Sequence, residues 1–235
     1  MRITTSKLII VLLFSFSAKC YAQAPDTSTV EKLLHYIVQP LNKSQVPTGF
    51  LEEYGCPITS LATYNGVLSA NNKVEMDVWR TLFFQLQTSY CQSGTNPLPA
   101  ITSINASIKQ SMTSSSTISI PLLIGQYNTV RSDAFTNNLL TYNSYTNQVA
   151  DKASRTQSPY NLNALFAGSP TKNYSLTGKD TFIVSPNLIW NNTTKSVQQI
   201  QINFDNGAGF KTVTVGSSIA VSYQDTGVKK WIIKV

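Results

Sequence analysis

The sequence predicts an α+β protein. A small N-terminal helical region packs on a mainly antiparallel, β-rich body that ends in a β-sandwich. Three observations predict it. Apolar residues recur at helical spacing in two stretches, 28–41 and 72–92, both in the first 97 residues. From Ile118 onward they alternate instead, most plainly at Ile200, Ile202 and Phe204, at Val213 and Val215, and at Ile219, Val221 and Tyr223. Polar turns separate the alternating runs: Asp205-Asn206-Gly207-Ala208-Gly209 follows the first, and Asp225-Thr226-Gly227 precedes a last strand over 228–235. A period of two places alternate side chains on one face of a sheet. Short strands joined this way favour a sandwich over a doubly wound α/β fold.

In chain order, residues 1–22 read as an export signal. Arg2 and Lys7 give a positive start, and Leu8 to Phe16 is an apolar run too short to span a bilayer comfortably. Ala22 closes the signal and Gln23 becomes the new N-terminus; a cut after Ala24 is disfavoured by the Pro25 that would follow. A lipid anchor on Cys20 is disfavoured by Lys19 before it. No later stretch is long and apolar enough to cross a membrane. Expected localisation is extracellular or on the outer cell surface.

Removing the signal lowers the net charge. The whole chain carries 18 basic and 11 acidic residues, a net +7. Three basic residues leave with 1–22, so 15 remain against 11 acidic, or +4. These charges form no basic block, which argues against a nucleic-acid partner. Of the three cysteines, Cys20 leaves and Cys56 and Cys91 remain. Two cysteines in an oxidising compartment suggest one disulfide; the alternative is two buried thiols. The bridge would close a loop of about 35 residues, worth roughly 3–4 kcal/mol on the chain-entropy account.

The first helix is expected over 28–41, capped by Ser28 or Thr27, with Val30, Leu33, Leu34, Ile37, Val38 and Leu41 as its apolar stripe. His35 falls off that stripe. Residues 40–70 are rich in breakers. Glu52 and Glu53, adjacent in an extended segment, would point to opposite faces, a poor geometry for paired acid and base chemistry; one of them instead suits meeting a cation or capping backbone donors. The second helix, over 72–92, is expected to begin with a capping box at Asn72 and Glu75. Its apolar face would hold Val78, Trp79, Leu82, Phe83, Leu86 and Tyr90. Gly94 and Pro97 stop it.

From Ile101 the pattern predicts strands. Ile118, Ile120, Leu122 and Ile124 alternate, with Pro121 marking an edge or bulge. Residues 111–117, Asn137-Asn138 and 151–159 read as loops. Leu162, Ala164 and Phe166 alternate, as do Phe182 and Val184. The expected division is a signal at 1–22, a helical and loop-rich region at 23–97, and a β-rich region at 98–235.

The C-terminal residues also carry a resemblance. Ile202-Asn203-Phe204-Asp205-Asn206-Gly207, with Tyr223-Gln224-Asp225-Thr226-Gly227-Val228, resembles the PKD-type, immunoglobulin-like module. Ile202 stands at that family's Trp position and Asp205 at its first Gly. The resemblance implies an Ig-like sandwich over about 172–235. Segments 46–55 (VPTGFLEEYG) and 120–125 (IPLLIG) resemble the N-terminal region of large secreted proteins of Bacteroidetes-type bacteria. That implies a surface-associated protein whose relatives continue past this C-terminus.

Chemical motifs are few. The chain has no P-loop, dinucleotide fingerprint, H-E-x-x-H or EF-hand pattern. Ala167-Gly168-Ser169-Pro170 lacks the nucleophile-elbow frame. Asp205, Asn206 and Asp225 are candidates for calcium, or simply for turn formation. Exposed Tyr and Trp rings would offer a carbohydrate platform, although nothing in the sequence gathers them. The expected function is a non-catalytic module for adhesion, presentation or assembly, with a protein or carbohydrate partner at the cell surface. The alternative is the N-terminal part of a larger secreted hydrolase.

Overall fold

A computed structural model describes residues 28–55, 66–67, 69–113, 117–172, 178–194 and 196–235. The expected export signal at 1–22 and Cys56 lie outside these residues. The described chain is a β-rich α+β protein, with four helices and eleven short strands in small mixed and antiparallel sheets.

Helix α1 (Val30–Ile37) is capped by Thr29, whose hydroxyl accepts from Lys32 N–H at 3.2 Å, one residue after Ser28 and two after Thr27, the expected caps. Only the C-terminal end of its stripe reaches a core: Val38 and Leu41 are buried, whereas Val30 and Leu33 face solvent. Residues 52 and 53 are helical rather than extended, in the single-turn helix α2 (Glu52–Gly55). Helix α3 (Met76–Thr88) buries Trp79, Leu82, Phe83 and Leu86, as its periodicity predicts. Its start differs from expectation. Glu75 makes no side-chain cap, and the Asn72 amide instead closes the preceding turn, accepting from Ser69 N–H at 2.7 Å and donating to Val67 O at 2.8 Å.

Helix α4 (Ile101–Thr113) replaces the strand expected from Ile101. Ile104 and Ile108, four residues apart, lie on one face and are buried. Packing against α3 and the sheet outweighs the low helix propensity of its Ser, Thr and Asn residues.

Pro121 is neither an edge nor a bulge; it is a crossing point. Before it, β1 (Thr117–Ser119) pairs parallel with β6 (Lys179–Ile183), which pairs antiparallel with β10 (Ser218–Ser222). After it, β2 (Leu122–Val130) pairs antiparallel with β5 (Tyr160–Gly168) along its whole length and parallel with β7 (Ile189–Asn191). Between β2 and β5, a hairpin of β3 (Leu140–Asn143) and β4 (Gln148–Asp151) projects. The last sheet is β11 (Ile232–Lys234), β8 (Gln201–Asn203) and β9 (Phe210–Thr212), all antiparallel. The C-terminal strands therefore do not form one local unit: β10 leaves for the β6 sheet. The last strand is also shorter than expected, and Val215 is exposed.

Three cores result. The β2–β5 ribbon turns Leu123 and Ala167 toward α3 and α4, in a core with Trp79, Phe83 and Trp190. Its opposite face gives Leu122 and Phe166 to a second core between the β6 and β8 sheets, where Phe182, Phe204 and Trp231 meet at centroid distances of 4.6–5.2 Å. The third core joins Val38, Leu41, Leu51 and Tyr54 to Leu139, Leu140 and Tyr160 at the hairpin base.

Two glycines mark close approaches. A Cβ on Gly55 would sit 2.4 Å from Ser89 Oγ and 2.6 Å from the Gln85 carbonyl; one on Gly125 would clash with a Leu86 methyl, at 2.5 Å, and with no backbone atom. Backbone cannot yield as a leucine tip can. Gly55→Ala is expected to cost about 1–3 kcal/mol and Gly125→Ala less, measured by urea unfolding. Equal midpoints for the two variants would contradict this packing.

Candidate functional site

The expected acidic site at the C-terminal end is assembled as turns. Asp205 has φ +58°, with its N–H donated to Asn203 Oδ1 at 3.0 Å. Its carboxylate accepts from Lys230 N–H at 2.9 Å. Asn206 accepts from Ala208 N–H at 3.2 Å and donates to Ser222 O at 3.3 Å. Asp225 pairs with the Lys229 ammonium at 2.8 Å, and that contact holds its carboxyl below the usual range. The bonds to Ser222 and Lys230 tie the Asp205 turn to the segment around Asp225, but each oxygen named serves a backbone donor or an ammonium. Among the described residues, no group of three or more His, Cys, Asp or Glu side chains converges to hold a metal.

A second set of ionisable groups surrounds α2. Glu53 Oε1 accepts from Val130 N–H at 2.7 Å, the backbone-capping role the sequence suggests for one of this pair. Burial raises the pKa of Glu53; burial, then the neighbouring Glu53 charge, raises that of Glu52. In its reduced form Cys91 donates its S–H to Gly49 O at 3.4 Å, and burial pushes the pKa of that thiol up to about 11. A thiol held that far up is a weak nucleophile at neutral pH. His35 is exposed and meets the Tyr54 ring edge-on at 4.7 Å.

The surroundings of Cys91 bear on the expected disulfide. Leu51 N–H donates to Ser89 O at 2.7 Å, and Cys91 N–H to Gly49 O at 2.9 Å. Gly55, the residue before Cys56, lies against Ser89. The chain leading to Cys56 is thus clamped to the chain leading to Cys91.

The tryptophans are not a platform. Trp79 is fully buried, and Trp190 and Trp231 pack into the first and second cores. The two most exposed aromatic side chains among the described residues lie on the β3–β4 hairpin, with Phe135, Phe84 and Phe210 less open elsewhere. Tyr145, at its tip, is 97% exposed and Tyr142 is 56% exposed. The tip is held by its own side chains. Asn143 Oδ1 accepts from Tyr145 N–H at 2.9 Å and Thr146 N–H at 3.3 Å, Tyr142 OH donates to Asn147 Oδ1 at 2.6 Å, and Asn147 takes φ +55°. Helix α1 braces it: Tyr36 OH donates to Thr146 O at 2.8 Å, and Gln148 Nε2 donates to Tyr36 O at 3.2 Å. At its base, Asp151 and Arg155 form a largely buried ion pair at 2.7 Å, and the same carboxylate accepts from Asn42 N–H. From Thr136 to Ala150 no residue is charged. The sequence signal for this site is the run Thr141-Tyr142-Asn143-Ser144-Tyr145-Thr146-Asn147, which periodicity alone does not single out.

No protein-family model matches the chain, and comparison with curated proteins and with solved structures finds no match.

Two outcomes are expected. Peptide mapping of the exported chain without reductant is expected to find Cys56 joined to Cys91; two freely alkylated thiols would refute the bridge. For Glu53, the folded pKa lies above the unfolded one. Its favourable contribution is therefore present below the unfolded carboxyl range and lost as pH rises through the folded pKa. Glu53→Gln keeps an acceptor for Val130 N–H without that loss. Relative to wild type, its stability is expected to rise from pH 4 to pH 8 in urea titrations, and a pH-independent difference would refute the assignment.

Proposed function

We propose that this chain is an exported, non-catalytic recognition module that works at the cell surface. The observation that carries the reading is the braced, charge-free β3–β4 hairpin, which offers Tyr142 and Tyr145 to solvent. Loops that bind are commonly carried on a rigid scaffold. Here the hairpin base rests on a buried core and a buried ion pair.

Three further features support it. Residues 1–22 have the charged start, apolar centre and small-residue end of an export signal. The ionisable groups around α2 serve the fold: Glu53 caps a strand amide, and Cys91 bonds a carbonyl. Two three-stranded sheets enclosing Phe182, Phe204 and Trp231 suit an Ig-like, PKD-like C-terminal part, to which β1 adds a strand from before residue 172. Among the described residues, no helix is long and apolar enough to cross a membrane.

Expression of the whole chain in a secreting bacterial host tests this. The expected product lies outside the cytoplasm, begins at Gln23, and turns over no ester, glycoside or peptide substrate. Cytoplasmic retention with residues 1–22 intact would overturn the reading, as would hydrolysis by the purified chain.

A further inference from the structure

We propose that the tip of the β3–β4 hairpin binds a neutral, hydroxyl-rich glycan, with Tyr145 as the platform for a sugar ring. This assignment rests on the recognition-module reading and gives it a ligand class and a place.

The argument begins with presentation. A ring exposed to 97% contributes little to the folding of its own chain, yet the backbone beneath it is closely held. Asn143 fixes the N–H groups of Tyr145 and Thr146, the Tyr142–Asn147 bond spans the turn, and Tyr36 holds Thr146 from outside the hairpin. Ordering of the loop is thus largely complete before any ligand arrives, which removes one of the main entropic costs of binding. Tyrosine adds contact area with few rotatable bonds, and Asn, Ser and Thr add adaptable hydrogen bonding. Loops that recognise diverse ligands favour that same composition.

Chemistry then selects the ligand. A sugar ring presents a face of weakly positive C–H groups and a rim of hydroxyls. The tyrosine face is the negative end of a quadrupole and suits those C–H groups. Amide and hydroxyl side chains on the same turn both donate and accept, as a hydroxyl rim requires. The uncharged run from Thr136 to Ala150 gives no attraction for phosphate or carboxylate, so nucleic acid and anionic lipid surfaces are poorly matched.

Size disfavours a protein partner at this site. A stable protein interface buries about 600–800 Å² on each side. An aromatic side chain supplies at most about 150–250 Å², and Tyr142 is only partly open. Two such rings suit one or two sugar units.

The test is an array of neutral and acidic oligosaccharides probed with the chain purified from the secreting host. Wild type, Tyr145→Ala and Tyr145→Phe are compared. Saturable binding to a neutral glycan is expected. It should weaken roughly three- to tenfold in Tyr145→Ala, the scale of one aromatic contact, and persist in Tyr145→Phe, which keeps the ring. It should be unchanged by salt up to about 0.5 M and by calcium chelation. Unfolding midpoints of both variants should equal that of wild type, because the side chain is exposed. The proposal is overturned if no neutral glycan binds, if Tyr145→Ala binds as wild type does, or if only acidic glycans or a protein are bound. Loss of binding on chelation would also overturn it, moving the site to the acidic turns at Asp205 and Asp225. An exported, catalytically silent chain that fails on the array refutes the hairpin assignment and leaves the module reading standing. A cytoplasmic or hydrolytic chain refutes both.

Discussion

The pairing of β2 with β5 is the constraint on which the rest depends. Nine residue pairs, from Leu122↔Gly168 to Val130↔Tyr160, set which side chain faces which core. Leu122 looks toward the core between the β6 and β8 sheets and Leu123 toward the helices. A slip of one residue would exchange the two faces, so both cores specify one register. On the other edge, β7 joins for only three residues, and the Asn192 amide extends the pairing by bonding both backbone groups of Gln126, at 2.8 and 2.9 Å. Burial on both faces also explains Gly125 and Gly168. At Gly125 a Leu86 methyl occupies the place of a side chain; at Gly168, Ile233 and Leu122 occupy it from the second core.

The hairpin is secured in a different way. Its outer strands bury little, and β4 has no fully buried residue. Polar contacts supply what packing does not. Arg155 bonds Asp151, the Gln157 carbonyl and the Gln45 side chain, so one guanidinium joins the hairpin base to the turn after α1. The pair is shielded well enough for water to screen it less than a surface pair. Exposed surface and stabilising contacts are thereby separated: aromatic surface stands at the tip, and the interactions that hold it lie at the base and on α1.

Where the sequence states a pattern strongly, the fold follows it. Trp79, Leu82, Phe83 and Leu86 in α3, and Ile200, Ile202 and Phe204 around β8, are buried as their spacing implies. Helix α4 was hidden because Ile104 and Ile108 stand among Ser, Thr and Asn, whose local preferences point away from helix. Only the core they enter, which is assembled from distant segments, decides the matter. The alternation from Ile118 to Ile124 suggests an edge strand or bulge at Pro121, whereas the two sides of Pro121 belong to different sheets; periodicity does not distinguish these cases. The exposed tyrosines were illegible for a related reason. Leu140 and Tyr142 share a face, but the core ends at Leu140, and where a core ends is a property of the assembled fold.

The two parallel pairings give the chain a temporal problem. Thr117 must wait for Thr181, and Leu122 for Ile189, before β1 and β2 acquire these neighbours. Contacts so distant in sequence close slowly, because chain entropy is lost before the contacts reward it. A chain synthesised or translocated from its N-terminus therefore presents β1 with no sheet partner, and β2 with unpaired backbone, until much of the remainder has emerged. In that interval the unpaired strands are templates for pairing with another molecule. Pro121, which has no N–H to donate, stands at the junction between these two waiting strands and interrupts the template there.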